Sequence, residues 1–474
     1  MSSTAIVENK SSLTISFING QGVHLSATVL RLKRYSVVFE VYNPYSILQT
    51  SEVLSDFQII SDNRVLYSGR ATVSNLVNTG GVIVCEVTLG ESWLDVRVSS
   101  GSVSTDMPKQ LEEYLNEWDL ANEVIAPMKL VAFETEKLFT GLRQWLEKVD
   151  LGIRSVRASE RQELEHEVFR SLEPMIAERF HKLVLDFCQA ADQVPAAEVA
   201  NHKAFIRRQL HPIIMCAPFL YRTYTKPLGY AGDFEMVNMI LKQEFSGSSA
   251  FAKLINYTFL KSPPAEAHRN RINILEDKIH AMAEQAIRQN RKLRIFNLGC
   301  GPAEEIFRVM NDEDVSDVIE VTLLDFNDDT LKQTKERLDQ KRMEAGRDTK
   351  ITYIQKSVNQ VIKEASKGEV SGEKYDLVYC AGLFDYLSQK VCSRLVSLFH
   401  SMISDEGEVL VTNVSSDNPV SKWMEYVMDW NLIYRTDEQM LNLTDGITTP
   451  VESKIFRDTT GVNVFLEVKS TVNE

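Results

Sequence analysis

The chain has 474 residues, of which 44% are hydrophobic and 9% aromatic. That length exceeds what one ordinary hydrophobic core supports, and the composition is that of a folded protein, so we expect two or three domains without extensive disorder. The formal net charge of -14 opposes attraction to nucleic-acid phosphates and anionic lipid, and therefore disfavours a nucleic-acid substrate.

Cysteine usage and the lack of long apolar runs indicate where the protein works. The first twelve residues lack the basic and apolar regions of a signal peptide, and no uncharged apolar run approaches the roughly 20 residues that span a bilayer. We therefore expect a cytoplasmic protein without a membrane span or a metal site. The cysteines show no CxxC spacing, which predicts reduced thiols rather than zinc ligands or disulfides: Cys85, Cys188, Cys216, Cys300, Cys380 and Cys392.

Residues 13 to about 95 predict a small barrel of about six strands, because apolar residues alternate or run together between turn signals. The segment resembles PilZ-type β-barrels, which in many bacterial proteins bind cyclic di-GMP through an RxxxR arm and a [D/N]xSxxG turn. Here the arm is Arg31 and Arg34, spaced RxxR, and the turn is 75–80, with Val77 where the serine belongs. Because both motifs depart from the pattern, we favour a barrel used for packing or homodimer contacts over a cyclic di-GMP sensor.

Helical periodicity dominates from the barrel to about residue 290. We assign 1–104 to the barrel, 105–202 to a helical linker and 203–290 to a helical cap that holds substrate. Segment 219–235 combines tyrosines, glycines, a proline and an acid in one loop-like stretch, and functional residues concentrate on such loops. Its candidates are Tyr224, Tyr230 and Asp233; the alternative is a loop packed by its own aromatic side chains.

The last helix of the cap has an unusual first turn. Ser262 is a good N-cap and the two following prolines suit a first turn, but His268, Arg269 and Arg271 put positive charge where it opposes the helix dipole. We consider two explanations equally: an anionic ligand, or a surface ion-pair cluster with a nearby acid.

Residues 291–474 begin with a glycine loop. A buried strand through Ile295 and Leu298 runs into Gly299-Cys300-Gly301 and then a helix opened by Pro302, and glycines in such a loop let the backbone approach a ligand. Glu304 replaces the third glycine of GxGxxG, so dinucleotide binding is the weaker interpretation. A second strand ends in Asp325, about 24 residues later, where a carboxylate can accept both ribose hydroxyls.

Three more strands and a final hairpin predict an α/β fold with a seven-stranded, Rossmann-like sheet and an antiparallel edge. This order resembles the class I S-adenosylmethionine-dependent methyltransferases. The resemblance implies S-adenosylmethionine as cofactor, with Phe326 beside its adenine. One arginine of the crowded first turn could hold the cofactor carboxylate, and Arg269 is our candidate. The resemblance assigns the remaining contacts to Asn297, Gly299, Cys300, Gly301, Asp325, Cys380, Ala381 and Gly382. Many relatives have an acid after the third strand to receive the adenine amino group, whereas this chain has Lys356-Ser357-Val358, so Ser357, Val358 or their backbone must substitute.

Taken together, the 226–236 segment, the arginine-rich helix and the N-terminal β region resemble, over nearly the whole chain, bacterial proteins of extracellular-factor, 3-hydroxypalmitic acid methyl ester biosynthesis. The resemblance implies carboxyl O-methylation of a 3-hydroxy fatty acid. Such a carboxylate has a pKa near that of Glu, about 4.3, and needs no base, only a cation or hydroxyl to orient it. An alcohol or phenol acceptor would need a base, for which His268 and Asp233 are candidates and Tyr230 a further catalytic residue.

The predicted substrate contacts come from several elements. A helical stripe in 418–430 could line an acyl pocket, although core packing is the more common explanation for such a stripe. The alternatives for function are O- or N-methylation of another metabolite and a non-catalytic, cyclic di-GMP-responsive regulatory protein. The candidate substrate residues are Tyr224, Arg271, Phe384, Tyr386 and Trp423.

Overall fold

The computed structural model describes residues 13–42, 48–61, 64–78, 82–93, 106–121, 123–368 and 372–471. The first twelve residues, whose composition disfavours a signal peptide, and Gly80 of the predicted turn lie outside this range. The chain divides into two compact units, each assembled from separate stretches: the first is Met1–Ala231, Gly247–Ile255 and Ser421–Asn431, and the second is Gly232–Ser246, Asn256–Val420 and Leu432–Glu474. The four-part division drawn from the sequence stays a prediction.

The first unit contains the predicted barrel. Six antiparallel strands close in the order β1-β2-β3-β6-β5-β4. Alternate side chains point inward, as the period of a strand requires, and the rings of Phe17, Phe39 and Phe57 meet at its centre with centroids 5.5–6.1 Å apart. The strands are β1 Thr14–Ile18, β2 His24–Lys33, β3 Ser36–Val41, β4 Val53–Ser61, β5 Arg64–Asn78 and β6 Ile83–Leu89. The barrel and its strand number are confirmed.

Eight helices follow the barrel in the described part of the chain. The two longest helices pack against each other. No helix within the described residues is long and apolar enough to cross a membrane. The helices are α1 Asp106–Ala121, α2 Ala126–Ser155, α3 Arg161–Asp192, α4 Val199–Ile214, α5 Pro218–Thr225, α6 Phe234–Lys242, α7 Ala250–Leu260 and α8 Pro263–Arg288. Helices α1 to α5 belong to the first unit, α6 and α8 to the second, and α7 is divided between them.

The second unit is built on a seven-stranded sheet in the order β12-β13-β11-β10-β7-β8-β9. Strands β7 to β11 are parallel, whereas β13 runs antiparallel to β11 and β12 antiparallel to β13. The strands are β7 Leu293–Leu298, β8 Ile319–Asp325, β9 Lys350–Gln355, β10 Tyr375–Cys380, β11 Ile403–Val414, β12 Val451–Arg457 and β13 Asn463–Ser470. The predicted Rossmann-like sheet with an antiparallel edge is confirmed.

Seven further α-helices lie among the described residues after β7, and helices cover both faces of the sheet. The seven are α9 Glu304–Val309, α10 Glu313–Ser316, α11 Asp328–Ala345, α12 Val358–Ser366, α13 Gln389–Met402, α14 Ser421–Val427 and α15 Asp437–Leu441. Neighbouring residues of β7 point to opposite faces: Ile295 packs with Leu275 and Ile279 of α8, and Phe296 packs with Phe399 of α13. Because α8 leads directly into β7 and packs along it, its first turn lies at the carboxyl edge of the sheet.

One segment of the C-terminal half, Ser421–Asn431, belongs to the first unit. There the buried Asp429 carboxylate lies 2.8 Å from Nη2 of Arg207, and Nζ of Lys226 donates to the Asp429 carbonyl at 2.9 Å. The neighbouring cations hold the pKa of Asp429 below its usual range despite its burial. Removing this carboxylate would leave buried cations uncompensated, so it anchors the segment in the first unit.

Candidate functional site

The glycine loop lies between the ends of two parallel strands. Gly299 and Gly301 have φ values of +73° and +50°, which favour glycine, and the N–H groups of Gly299 and Cys300 donate to the Leu324 carbonyl at 2.7 and 3.1 Å. A Cβ on Gly299 would lie 3.3 Å from Cδ2 of Leu383, whereas one on Gly301 would meet open space. The loop is therefore packed at one glycine and open at the other. The following helix begins at Glu304, after Pro302.

Asp325 joins this loop from the next strand. One carboxylate oxygen accepts the N–H of Gly301 at 3.1 Å, and the other accepts the N–H of Asn327 at 3.0 Å. Burial raises the pKa of the carboxyl, although both backbone hydrogen bonds favour its ionised form. An ionised carboxylate has about four acceptor sites, so Asp325 retains capacity for further hydroxyl donors.

A buried polar network lies beside the loop. The hydroxyl of Tyr379 donates to Oε1 of Glu305 at 2.6 Å, and Nδ2 of Asn297 donates to the same oxygen at 3.3 Å. Burial raises the pKa of Glu305. The Oδ1 atom of Asn297 has no hydrogen-bond partner among the described residues. The sequence pointed to Asn297 but not to Glu305 or Tyr379, because Tyr379 is brought beside Asn297, and so to Glu305, only by the pairing of β10 with β7.

The loop after β10 meets the first turn of α8. Gly382 has a φ of +100°, and its N–H donates to the Thr412 hydroxyl at 3.1 Å. A Cβ at Gly382 would lie 2.9 and 3.0 Å from the two terminal nitrogens of Arg271. Arg271 is 8% exposed, and His268 is its described hydrogen-bond partner, at 2.9 Å from Nδ1. A buried guanidinium with unused donors thus lies directly against the loop.

Arg269 does not join this arrangement. Its guanidinium donates to the carbonyl oxygens of Ile240 and Leu260 at 3.0 and 2.8 Å and is paired with Glu266. These contacts clamp α6 and α7 to α8. They disfavour the predicted contact between Arg269 and the cofactor carboxylate, and they correspond to the local ion-pair explanation of the crowded turn.

The predicted bases have different environments. Burial and the two nearby arginines lower the pKa of His268 well below its usual value, so the ring is neutral and weakly basic. Asp233 caps α6, because its carboxylate accepts the N–H of Met236 at 2.8 Å. The Tyr386 hydroxyl lies 3.0 Å from the position of a Cβ on Gly232, which brings that part of the predicted substrate segment to the loop after β10.

Asp385 is a buried acid in the same loop that the sequence analysis did not single out. Its Oδ1 accepts the N–H of Val414 at 2.6 Å, and its carbonyl accepts the N–H of Ile433 at 2.7 Å. Burial raises the pKa of the carboxyl to about 6, while Arg271 and Arg435 oppose this rise. The only sequence signal was an acid among apolar residues just after a buried strand.

Three residues that were predicted to contact the adenine lie in ordinary structural positions. Ser357 forms a capping box with Gln360 at the start of α12, and Val358 is buried beside it. Phe326 follows Asp325 and is partly buried, and its carbonyl accepts from Gln355 at 3.5 Å. The cap occupies the Ser357 hydroxyl, so adenine recognition by that hydroxyl stays a prediction.

Several other candidates pack in cores. Cys380 and Phe384 belong to the hydrophobic core on the α13 face of the sheet, and burial raises the pKa of the Cys300 and Cys380 thiols well above the usual range. Ala381, between Cys380 and Gly382, packs partly buried on the opposite face.

Tyr224, Tyr230 and Trp423 belong to the first unit, where the two tyrosines are partly buried and Trp423 is buried. The Trp423 ring lies between two rings of α3, with centroids 5.4 Å from Phe180 and 5.1 Å from Phe187. Tyr224 packs under the guanidinium of Arg70 at 4.6 Å. Their predicted contacts with substrate stay predictions.

Comparison with known protein families identifies the part of the chain that contains the glycine loop. The family model described as "Methyltransferase domain" matches residues 289–455. No curated protein matches the chain. Among solved structures, magnesium protoporphyrin IX methyltransferase from Synechocystis PCC 6803 with bound SAH is 9% identical, with 43% of this chain and 85% of that chain covered and a TM-score of 0.32.

Two further solved structures match with similarly low sequence identities and TM-scores. A Bordetella parapertussis protein described as a possible exported protein is 14% identical, covering 62% of this chain and 97% of its own, with a TM-score of 0.41. A TehB-like SAM-dependent methyltransferase from Corynebacterium glutamicum is 10% identical, covering 40% and 87%, with a TM-score of 0.27. Values this low say nothing about a substrate.

The residues around the glycine loop fit S-adenosylmethionine. Its ammonium requires acceptors, which Asn297 Oδ1 and Glu305 offer, and its ribose hydroxyls require an acceptor with spare capacity, which Asp325 offers. The open space at Gly301 leaves room for a ligand close to the backbone. Together with the strand order of the sheet, the matched family model shows that residues 289–455 belong to a class I S-adenosylmethionine-dependent methyltransferase domain.

Proposed function

We propose that this methyltransferase acts on an oxygen of a small acidic metabolite, and that its best candidate substrate is the carboxyl group of a 3-hydroxy fatty acid. The observation that carries the proposal is Arg271, a buried guanidinium with unused donors against Gly382. Arginine donors match a carboxylate in geometry as well as charge. With Arg269 engaged by carbonyl groups and Glu266, Arg271 is the remaining predicted cation available to an acceptor.

In this proposal the protein supplies alignment rather than a nucleophile. When bound, S-adenosylmethionine supplies an electrophilic methyl group on a positively charged sulfur. Arg271 orients the acceptor carboxylate, one oxygen of which forms the new C–O bond as the C–S bond breaks, and the products are a methyl ester and a neutral thioether. The acceptor is already ionised at neutral pH, so no residue has to remove a proton. Good alignment alone can correspond to effective molarities of roughly 10⁵ to 10⁸ M.

A hydroxyl acceptor is the second candidate, and Asp385 is the observation in its favour. Its buried carboxyl has a pKa raised to about 6, so most of it is ionised at neutral pH and can still accept a proton. Here the acceptor O–H would give its proton to Asp385 as the O–CH₃ bond forms. Asp385 suits this role better than His268, whose pKa is strongly lowered, or Asp233, which caps a helix.

Labelled methyl transfer into 3-hydroxy fatty acids, followed by extraction, separates these candidates. A 3-hydroxy acid and the matching acid without the hydroxyl should both be labelled if the carboxyl is the acceptor. A 3-hydroxy acid whose carboxyl is already esterified should be labelled only if the hydroxyl is the acceptor. Cofactor binding by calorimetry with no labelling of any acid would exclude this substrate class.

The Arg271→Gln variant tests the proposed carboxylate contact. We expect KM for the acid to rise at least about tenfold, because a charged hydrogen bond is lost, with little change in cofactor affinity. Arg288→Gln is the matched control, because Arg288 lies on the same helix and is 71% exposed. A selective loss of cofactor affinity in Arg271→Gln would instead assign Arg271 to the cofactor carboxylate.

We also propose that the protein is cytoplasmic and that the barrel does not bind cyclic di-GMP. All six cysteines are free in the structure, and Arg31 of the degenerate arm is within ion-pair distance of Glu86, at 3.7 Å. Cell fractionation tests the location. Calorimetry with cyclic di-GMP tests the barrel, and tight binding would revive the regulatory alternative.

A further inference from the structure

Helix α2 has two apolar faces, of which its own unit covers one. The covered face packs toward α3 and α4. At 3.6 residues per turn, the exposed apolar residues fall on the opposite side of the helix. The buried positions are Met128, Val131, Ala132, Thr135, Phe139, Leu146 and Ile153. The exposed apolar positions are Leu130, Phe133, Trp145 and Leu151, each at least half exposed.

Exposed apolar side chains are concentrated in this part of the chain. Of the 17 large hydrophobic residues that are exposed within the described residues, seven lie on α1 and α2, and three of these form an i, i+3, i+4 cluster on α1: Leu111, Tyr114 and Leu115. Scattered exposed hydrophobic residues need no explanation, but a stripe along one helix face indicates an interaction surface. The stripe from Leu130 to Leu151 is about 32 Å long.

The charged residues within the stripe are self-complementary about Gly141. Glu134 and Lys148 are each seven residues from Gly141, have opposite charges, and form no ion pair with the described residues. Lys137 and Trp145 are also equally spaced about Gly141, each four residues from it. One is a cation and the other an aromatic ring, and the two attract each other when stacked. Gly141 has open space at its Cβ position, so a second helix can approach closely there.

We propose that this face of α2 is an interface between two copies of this chain, with the two α2 helices antiparallel and the two-fold axis at Gly141. The symmetry then brings Glu134 of each copy to Lys148 of the other, and Lys137 of each copy to Trp145 of the other. Every contact occurs twice, as an isologous interface requires. This dimer is independent of the proposed substrate and of the barrel.

Charge reversal tests the pairing in the full-length protein by sedimentation equilibrium, where the monomer mass is 53.9 kDa. Glu134→Lys and Lys148→Glu should each raise the dimer dissociation constant about tenfold, because two attractive pairs become repulsive. The double variant should return to within about threefold of wild type. The two residues are four helical turns apart in one chain, so only pairing between copies can restore affinity. A monomeric wild type, or a double variant weaker than either single one, would overturn the proposal.

Cysteine cross-linking tests the axis. In a Cys216→Ser background, which removes the exposed cysteine, Gly141→Cys should form a disulfide-linked dimer on mild oxidation. Gly152→Cys is the matched control, because it is also an exposed glycine of α2 with open space at its Cβ position. In the antiparallel dimer the two copies of residue 152 are about 33 Å apart and cannot cross-link. Cross-linking at both positions would indicate parallel helices, and cross-linking at neither would exclude the axis.

Discussion

Replacing Gly382 with alanine tests the contact between the loop after β10 and the first turn of α8. The new Cβ would lie 2.9 Å from Nη1 of Arg271 and 3.2 Å from its Cζ, distances at which something must shift. The φ of Gly382 is +100°, a conformation that side chains of L-residues rarely adopt. Alanine at this position therefore combines backbone strain with displacement of a buried guanidinium.

The destabilisation by backbone strain and the destabilisation by displacement of Arg271 can be measured separately. Backbone strain for a non-glycine residue at positive φ is about 1–2 kcal/mol, and overpacking against a buried group adds about 1–3 kcal/mol. Gly461→Ala is the matched control, because Gly461 has a φ of +73° in the same unit but open space at its Cβ position. We expect Gly461→Ala to show only the first cost, and Gly382→Ala to show both.

Urea unfolding gives the free energies, and calorimetry gives the affinity for S-adenosylmethionine. We expect Gly382→Ala to weaken cofactor binding at least about tenfold, because backbone strain at Gly382 shifts the loop that carries the predicted cofactor contacts, and Gly461→Ala to leave binding unchanged. In a double-mutant cycle, Arg271→Ala should reduce the cost of Gly382→Ala by more than about 0.5 kcal/mol. Equal costs for the two glycine variants together with zero coupling would refute the contact.

Three further substitutions test the buried carboxylates. Burial raises the pKa of Asp385 to about 6, above the usual 3.8, so this group binds a proton more tightly in the folded state. The contribution of Asp385 to the free energy of unfolding therefore falls by up to about 3 kcal/mol as pH rises from about 4 to about 6. Asp385→Asn should abolish that fall in urea titrations, and an unchanged pH profile would contradict the assignment. Asp325→Ala should weaken cofactor binding about hundredfold by calorimetry, because two hydroxyl contacts to a charged acceptor are lost, whereas Asp328→Ala, at an exposed position, should not. Asp429→Asn should lower the free energy of unfolding by about 3–5 kcal/mol at neutral pH, because buried cations lose their counter-charge. Those cations lower the pKa of Asp429 in the folded state, so its contribution to stability is present above the pKa of an unfolded aspartate and is lost in acid. The difference in unfolding free energy between wild type and Asp429→Asn should therefore shrink as the pH falls. A difference independent of pH would contradict this account.

The sequence was sufficient where function depends on residues close together in the chain. The glycine loop and Asp325 are consecutive strand ends of one βαβ unit, so their spacing along the chain already predicts their meeting in space. The same holds for the individual strands of the barrel and of the sheet, because period-2 patterns and turn residues act locally. The Rossmann-like arrangement of the sheet was expected from the resemblance to class I methyltransferases. Composition likewise disfavours a nucleic-acid substrate, because the net charge follows from residue counts alone.

The tertiary structure decided which of two nearly adjacent arginines reaches the loop. Arg269 and Arg271 are two positions apart on one helix, about 200° around its axis, so they point to nearly opposite sides. The sequence shows both in a crowded first turn but not the rotation of α8 against the sheet. That rotation is set by Leu275 and Ile279 packing on β7, and it directs Arg271 to Gly382 and Arg269 to α6 and α7.

The tertiary structure also revealed the contacts of Asp385 and the exposed apolar stripe on α2. Asp385 matters through Val414 and Arg435, residues 29 and 50 positions away that only the fold brings near it. The apolar residues of α2 could all have been core by their periodicity, and only packing shows which side remains uncovered. The spacing of residues along the chain was thus sufficient to predict the individual strands and the cofactor loop. The orientation of each helix is set by burial of its largest apolar face, and it decided which polar side chains surround that loop.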